Sequence, residues 1–387
     1  MHVHVVDPSA YTPPYDHALC RALAAAGAEV ELYTSRFAYG PAPPAEGYLR
    51  REFFYRLAPG RAGSRVRRLA KMTQHVPDML RYRAAARSAD IVHFQWLSVQ
   101  HLDGRLLPRA RSASAAAPPL VLTAHDILPR EPRRGQRGAQ RRAYERFDAV
   151  VVHSEQGRRR LIDELAVDPA RVHVIPHGVL RPWEDAPGDG AGGGESLPAE
   201  LAGVGRPVVL FFGLLRPYKG LDVLLEAWRE LGLGATGEAE LWIVGMPRMD
   251  ITPLRSAPPA GVRLLPRFLS DPEILAVMTR ASLVVLPYRE IDQSGVAFTA
   301  LGAGVPLLLS DVGGFPEIAA TGAARAVPAG DSGALGEALG ELLGDPAALA
   351  RMGDRARAAA AGEFAWEPIA RRTLALYASL LEGGSRG

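Results

Sequence analysis

A single cysteine, Cys20, leaves no partner for an intramolecular disulfide, and its helical setting, DHALCRALAAAG, suits a small buried residue. No apolar run reaches the ~18 residues that span a bilayer. The first residues, HVHVV, enter a strand at once, with no basic stretch leading into an apolar core. Both absences point to a cytoplasmic protein. No strand-like run is followed by G-x-G-x-x-G, which disfavours a nicotinamide dehydrogenase. The chain has no Asp-x-Asp and no Cys/His cluster at metal-ligand spacing, so the expected metal site is none. No aromatic stacking platform or nucleic-acid module accompanies its arginines, so nucleic acid is not an expected partner. Lysine is scarce, two residues against 43 arginines, a compositional bias without mechanism.

What is present is an ordinary globular composition, 48% apolar and 22% charged. At 387 residues the chain exceeds one typical core, and two domains are expected. The net charge of +3 hides an asymmetry: residues 1–185 hold 28 Lys/Arg and 19 Asp/Glu, residues 186–387 hold 17 and 23. Such halves suit domains with different partners. Short apolar runs recur between helical patterns. The first half has Val3–Val6, Val30–Thr34, Ile91–Phe94, Leu120–Ala124, Ala149–His153 and Val172–Ile175. The second has Val208–Phe212, Leu241–Val244, Val262–Leu265, Leu283–Leu286, Pro306–Leu309 and Arg325–Val327. Continuous apolar strands are buried on both faces, which predicts parallel sheets and an α/β class with two Rossmann-like doubly wound domains. The Gly-rich stretch 185–200 reads as a linker or surface loop between domains 1–184 and 201–363. Trp366 to Leu381 reads as a long amphipathic helix.

The densest signal is DQSGVAFTALGAGVPLLLSDVGGFPE, Asp292 to Glu317. A polar turn opens a short helix, a buried strand follows, and a Gly-Gly-x-Pro-Glu turn opens another helix. Helix starts carry free N–H groups and partial positive charge, so two beside one strand make an anion site. Upstream, FFGLLRPYKG places Arg216 and Lys219 after another buried strand. A paired cation and helix end of this kind suit a diphosphate.

These residues resemble the donor-binding half of family 4 glycosyltransferases, of group 1 type, whose GT-B fold has two such domains facing a central cleft. The family pattern is Glu-x7-Glu, Gly-x-Pro, then Gly-Gly-x-Pro-Glu. Gly304, Pro306, Gly313, Gly314, Pro316 and Glu317 match it; the first Glu falls on Asp292 and the second on Ala300. The resemblance spans nearly the whole chain. It implies a retaining, metal-independent transferase that takes a nucleotide-diphosphate sugar and needs no cofactor. It also implies that the final helix, 364–382, packs back on the N-terminal domain.

Residue by residue, Lys219 is expected to hold the diphosphate as a point charge and Arg216 as a bidentate fork; a solvated helix start is the plain alternative. Ser294 and the amides of Gly295 and Val296 complete that site. Asp292 either contacts donor-sugar hydroxyls or caps the helix. Ala300 cannot accept from a ribose, so Ser294, Thr299 or a backbone carbonyl stands in. Arg267 and Phe268, after the third strand of that half, are expected beside the base. His125 ends a buried strand, where sheet crevices bind ligands, and resembles the family residue facing the donor sugar. His93 and His153 end strands at the same face, and His177 shapes a turn. Asp16 either meets the acceptor or caps a helix. The loop Asp7 to Asp16 lacks the family's Gly-Gly and is stiffened by Pro13 and Pro14.

Two arginine-rich stretches, Arg61 to Arg87 and Arg130 to Arg146, fit either a solvated face or peripheral contact with anionic lipid at the inner membrane face. The acceptor is expected to be a sugar, a lipid-linked molecule or another small molecule. Two rivals remain: an epimerase-like enzyme on the same fold, and a non-catalytic binding protein on a degenerate transferase scaffold.

Overall fold

Runs of valine, leucine and isoleucine form the strands of two separate sheets, every pair of strands parallel. The computed structural model describes residues 1–37, 42–58, 64–108, 117–128, 135–181 and 197–384. The chain divides into two units, Met1–Gly178 with Trp366–Gly387, and Val179–Ala365.

The first unit runs β1 (His2–Asp7), α1 (Pro13–Ala25), β2 (Glu29–Ser35), β3 (Leu49–Phe54), α2 (Arg65–Ala85), β4 (Ile91–Phe94), α3 (Gln100–Leu106), β5 (Leu120–Thr123), α4 (Gln136–Tyr144), β6 (Ala149–Val152), α5 (Glu155–Leu165) and β7 (Val172–Val174). Its strand order is β3-β2-β1-β4-β5-β6-β7. The sequence predicts six strands here, and the described residues form seven. The extra strand, β3, reads LRREFF and has no apolar run because it is an edge strand, largely exposed. Polar side chains on an edge also discourage pairing with another chain. Arg51 of β3 instead bonds Glu31 of β2 at 2.6 Å.

Among the described residues the second unit has the six expected strands. It runs β8 (Val208–Phe212), α6 (Leu221–Leu231), α7 (Leu233–Thr236), β9 (Glu240–Val244), α8 (Thr252–Ser256), β10 (Val262–Leu265), α9 (Asp271–Arg280), β11 (Leu283–Leu286), α10 (Gly295–Gly302), β12 (Leu307–Ser310), α11 (Phe315–Ala320), β13 (Ala324–Val327), α12 (Ser332–Gly344) and α13 (Pro346–Ala361). The order is β10-β9-β8-β11-β12-β13. Both faces are covered: Trp242, Leu286 and Phe298 pack on one side, Phe211, Trp228 and Leu339 on the other. Each such side chain taken from water contributes about 1.5–3 kcal/mol before entropy is counted.

The last helix, α14 (Trp366–Gly384), packs on α1 within the first unit. Its Tyr377 hydroxyl lies 2.6 Å from His93 Nδ1. The linker expected over 185–200 lies outside the described residues as far as 196; Ala199–Leu201 form a 3-10 turn with Leu201 buried. Parts of the two arginine-rich stretches, 61–63 and 130–134, are likewise outside them. Among the described residues no helix is long and apolar enough to cross a membrane.

In each sheet the order reverses once, between β1 and β4 and between β8 and β11. Loops leave such a switch point in opposite directions, which opens a crevice at the carboxyl ends of the strands.

Candidate active-site residues at the two switch points

In the second unit β8 ends at Phe212 and the chain turns at Gly213, φ +106°. A β-carbon there would lie 3.0 Å from Lys219 Nζ and 3.1 Å from the Val296 side chain. The end of β8, the Lys219 ammonium and the start of α10 therefore meet at one point. Arg216 precedes the 3-10 turn Pro217–Lys219 and is exposed. Lys219 is buried, with Nζ 4.9 Å from the ring centroid of Tyr288, which follows β11. Gly220, φ +67°, presses on the chain leaving β11; a β-carbon would come within 1.9 Å of the Pro287 carbonyl. Glycine is what lets Lys219 dock at the switch point.

Ser294 caps α10 without a side-chain cap bond. Gly295 and Val296 are its first residues, whose amides have no carbonyl four residues back. Lys219 and this helix start bring two sources of positive potential together. The Asp292 carbonyl accepts from Gly314 N at 3.2 Å, which ties the Asp292–Ser294 turn to the Gly-Gly-x-Pro-Glu turn. Thr299 donates its hydroxyl to the Gly295 carbonyl at 2.9 Å. Ala300 is fully buried in the core, beside Phe298 and Leu301 in sequence. Its methyl group packs in the core and offers no polar atom to a ribose.

Arg267 and Phe268 follow β10, an edge strand separated from β8 by β9. Arg267 is held by Glu273 at 2.6 Å, and its guanidinium keeps the Glu273 carboxyl down at about 2. Phe268 is exposed.

In the first unit, β1 ends on Asp7. Its carboxylate accepts from the amides of Ser9 at 3.2 Å, Tyr11 at 2.5 Å and Thr12 at 3.3 Å, which fixes the proline-rich loop that a Gly-Gly turn does not provide. Asp16, in the first turn of α1, is buried and pairs with Asp7. Burial, then the Asp7 charge, pushes the Asp16 carboxyl well above the usual range. Two buried carboxyls cannot both ionise, so Asp16 keeps the proton and donates it to Asp7.

His125 follows β5. Its Nδ1 is 3.3 Å from His153 Nε2, and its Nε2 is 3.2 Å from Gln95. Trp96 stacks on the His125 ring at 5.0 Å and Tyr15 meets it edge-on at 4.7 Å. His153 Nδ1 is 3.0 Å from the Ile175 carbonyl. Burial pushes His153 down to about 4, and His125 and His177 well below their ordinary value, so all are neutral near pH 7. One tautomer pattern satisfies the chain. A carbonyl only accepts, so His153 Nδ1–H donates to Ile175, and His153 Nε2 accepts from His125 Nδ1–H. His125 Nε2 is then left with a lone pair. The Gln95 atom placed beside it is Oε1, and the side-chain amide, turned over, presents the N–H that this tautomer pattern requires. His93 spends both ring nitrogens, on Tyr377 at 2.6 Å and Thr123 at 2.7 Å, and so positions α14 against β4 and β5.

The structure thus gathers Lys219, Ser294, Gly295 and Val296 in one unit, and Asp16, His125 and His153 in the other. Sequence reasoning passed over Gly213 and Tyr288 in the first set and Asp7, Tyr15, Gln95 and Trp96 in the second. Asp7 and Gln95 end or follow strands at a switch point, a signal visible in order alone; the aromatic residues carry none.

Two doubly wound units with polar residues gathered at the carboxyl ends of their strands define the GT-B class. Solved structures agree. Sucrose-phosphate synthase from Thermosynechococcus elongatus superposes with a TM-score of 0.73 at 20% identity, over 99% of this chain and 100% of that one. Anabaena HepE, solved with UDP-glucose, gives 0.69 at 18% identity over 98% and 100%. The particular family follows from sequence. Residues 15–179 match Glycosyltransferase Family 4 and residues 206–345 match Glycosyl transferases group 1. The chain belongs to the group 1, family 4 glycosyltransferases. Its relatives include D-inositol 3-phosphate glycosyltransferase of Nocardia farcinica, 35% identical over 60% of this chain and 53% of that protein. Alpha-maltose-1-phosphate synthase of Mycolicibacterium smegmatis is 30% identical over 67% and 72%. GDP-mannose:glycolipid 4-beta-D-mannosyltransferase of Xanthomonas campestris is 29% identical over 57% and 60%. The match thus spans about half of the first of these relatives and most of the second.

Proposed function

We propose that the protein is a retaining hexosyltransferase that moves a sugar from a nucleotide-diphosphate donor to a glycan, glycolipid or small-molecule acceptor. The observation that carries this reading is the convergence of Lys219 Nζ, Gly213 and Val296 at the switch point of the second unit. A diphosphate seated there meets a fixed ammonium and the first amides of α10, with Arg216 exposed nearby in sequence. As the bond to the anomeric carbon breaks, negative charge grows on the leaving diphosphate, and charges already in place stabilise it without reorganising. Asp292 and Ser294 contact the donor, and Thr299, Arg267 and Phe268 serve its nucleoside. This site needs no metal bridge, so turnover persists in chelator.

The acceptor side lies in the first unit, with His125 at its centre and Asp16 and His93 behind it. A sugar hydroxyl that displaces Gln95 finds the His125 Nε2 lone pair and donates a hydrogen bond to it. Exposed Tyr11 beside half-buried Trp96, ring centroids 5.3 Å apart, gives a sugar ring an apolar face.

A membrane-borne acceptor is favoured by α2. Val66, Leu69 and Met72 are each more than 60% exposed on this helix, among Arg65, Arg67, Arg68 and Lys71. Apolar side chains flanked by cations suit the interface of an anionic bilayer.

Calorimetric titration with UDP, GDP, ADP and TDP tests the donor site, with Lys219→Ala as control. Selective binding of one nucleotide that Lys219→Ala loses supports the proposal and names the base. Binding of none, with acceptor analogues present, points to a scaffold that has lost its donor.

A further inference from the structure

We infer that His2, His4 and Glu31 form a site for one divalent transition-metal ion of the zinc or cobalt type, at the amino end of the first sheet. The site lies at the end of the strands away from His125, and it stands apart from the transferase reading. Alternate residues of a strand share a face, so His2 and His4 of β1 project together. The parallel register sets His4 opposite Glu31 of β2, which brings the carboxylate to the same place.

Three observations point to an ion rather than to a hydrogen-bonded cluster. First, His2 Nε2 and His4 Nε2 are both buried, His4 completely so, and neither has a hydrogen-bond partner among the described residues. Second, the separations are wrong for hydrogen bonds and right for a bridge. His2 Nε2 stands 3.8 Å from Glu31 Oε1, and His4 Nε2 stands 4.0 Å from Glu31 Oε2. Zinc bonds nitrogen and carboxylate oxygen at about 2.0–2.2 Å, so an ion between them needs little movement. The three ligand atoms lie within 4.8 Å of one another. Third, the outer partners are in place. His2 Nδ1 is 2.8 Å from the Ser88 carbonyl, which can only accept, so the proton is on Nδ1 and the Nε2 lone pair faces the site. Arg51 grips Glu31 at 2.6 and 2.9 Å and keeps it anionic, while a carboxylate has lone pairs to spare for a metal. Two imidazoles and a carboxylate, with water in the fourth position, match borderline ions rather than calcium or magnesium. The bound ion clips β1 to β2. The sequence pattern gives no hint of it, because two ligands form His-x-His while the third comes from the next strand.

The test uses tag-free, chelator-stripped protein, titrated with Zn2+ in a calorimeter and with Co2+ by visible absorption. One equivalent binds, Co2+ shows the absorption of a low-coordinate site, and Zn2+ raises the melting temperature. His2→Ala and Glu31→Gln each lower affinity at least tenfold and abolish the thermal shift; the His2 side chain is 19% exposed and outside the apolar core, so His2→Ala is expected to fold. His153→Gln, in the other histidine cluster, leaves Zn2+ affinity unchanged. Equal affinity in wild type and His2→Ala, no saturable binding, or loss of binding in His153→Gln overturns the assignment.

Discussion

Lys219 holds its ammonium over the face of Tyr288, 4.9 Å from the ring centroid, although the two residues lie on different strand exits. The ring offers negative charge to a cation partly stripped of water, an interaction worth about 0.5–2 kcal/mol. The lysine is thereby aimed at the start of α10 before any ligand arrives. Lys219→Ala should lower nucleotide-diphosphate affinity by about tenfold to a hundredfold, the range expected for a hydrogen bond to a charged group. Tyr288→Leu should cost a few-fold through misplacement of the same lysine. Calorimetry measures both, and an unchanged affinity in Lys219→Ala would falsify the phosphate role.

Ala300→Glu should damage the fold rather than restore a ribose contact. The position is fully buried among apolar side chains, and an unpaired buried charge costs several kcal/mol. A drop in melting temperature of about 10 °C is expected for a unit of this size. Differential scanning calorimetry decides; a variant as stable as wild type that binds nucleotide more tightly would reverse the assignment.

Acid should weaken the first unit through its histidines. His153 is held near 4 by burial, below its ordinary 6.5, with His93 pushed lower, to about 3, and His125 and His177 also depressed. Below 6.5 the unfolded chain binds protons that the folded chain refuses. The stability from neutral His153 is complete above 6.5 and is lost as pH falls toward 4, by up to about 3 kcal/mol. Asp16 works the other way, since its raised carboxyl favours the fold at low pH and loses that contribution as pH rises through the raised value. Urea midpoints between pH 4.5 and 7.5 should fall with acid in wild type and fall less in His153→Gln. Equal slopes in the two proteins count against the neutral relay.

Membrane contact through α2 predicts that the double variant Leu69→Asp, Met72→Asp binds anionic vesicles at least tenfold more weakly, since each apolar side chain contributes about 1.5–3 kcal/mol when buried. Added salt should weaken wild-type binding as well. Co-sedimentation with phosphatidylserine vesicles reads both effects. Wild type and variant sedimenting alike would remove α2 as the contact.

Removing the tether on α14 tests His93 as a positioning residue. Tyr377→Phe deletes the partner at 2.6 Å from a buried imidazole and should cost about 1–3 kcal/mol of stability. The kinetic signature is a modest change in turnover with nucleotide affinity unaltered, because the donor residues belong to the other unit. A large loss of nucleotide affinity in this variant would contradict that separation.

Much of this protein follows from sequence alone. Runs such as Val208–Phe212 and Leu283–Leu286 are apolar throughout because both faces of a parallel strand are covered, so strand type, sheet class and twofold organisation are local properties of composition. Lys219 and the turn at Ser294 are legible too, since helix starts and cations after buried strands have short-range signatures. The edge strand β3 escapes because an uncovered strand needs no apolar run. The tertiary structure alone decides that both Thr299 and Ala300 of α10 are buried, with the Thr299 hydroxyl bonded back to Gly295. It also brings His125 to His153, Asp7 to Asp16 and His2 to Glu31, pairs joined by strand order and register rather than by spacing. Proton positions follow from those meetings, because burial and a neighbouring charge set them, and neither exists until the chain has folded.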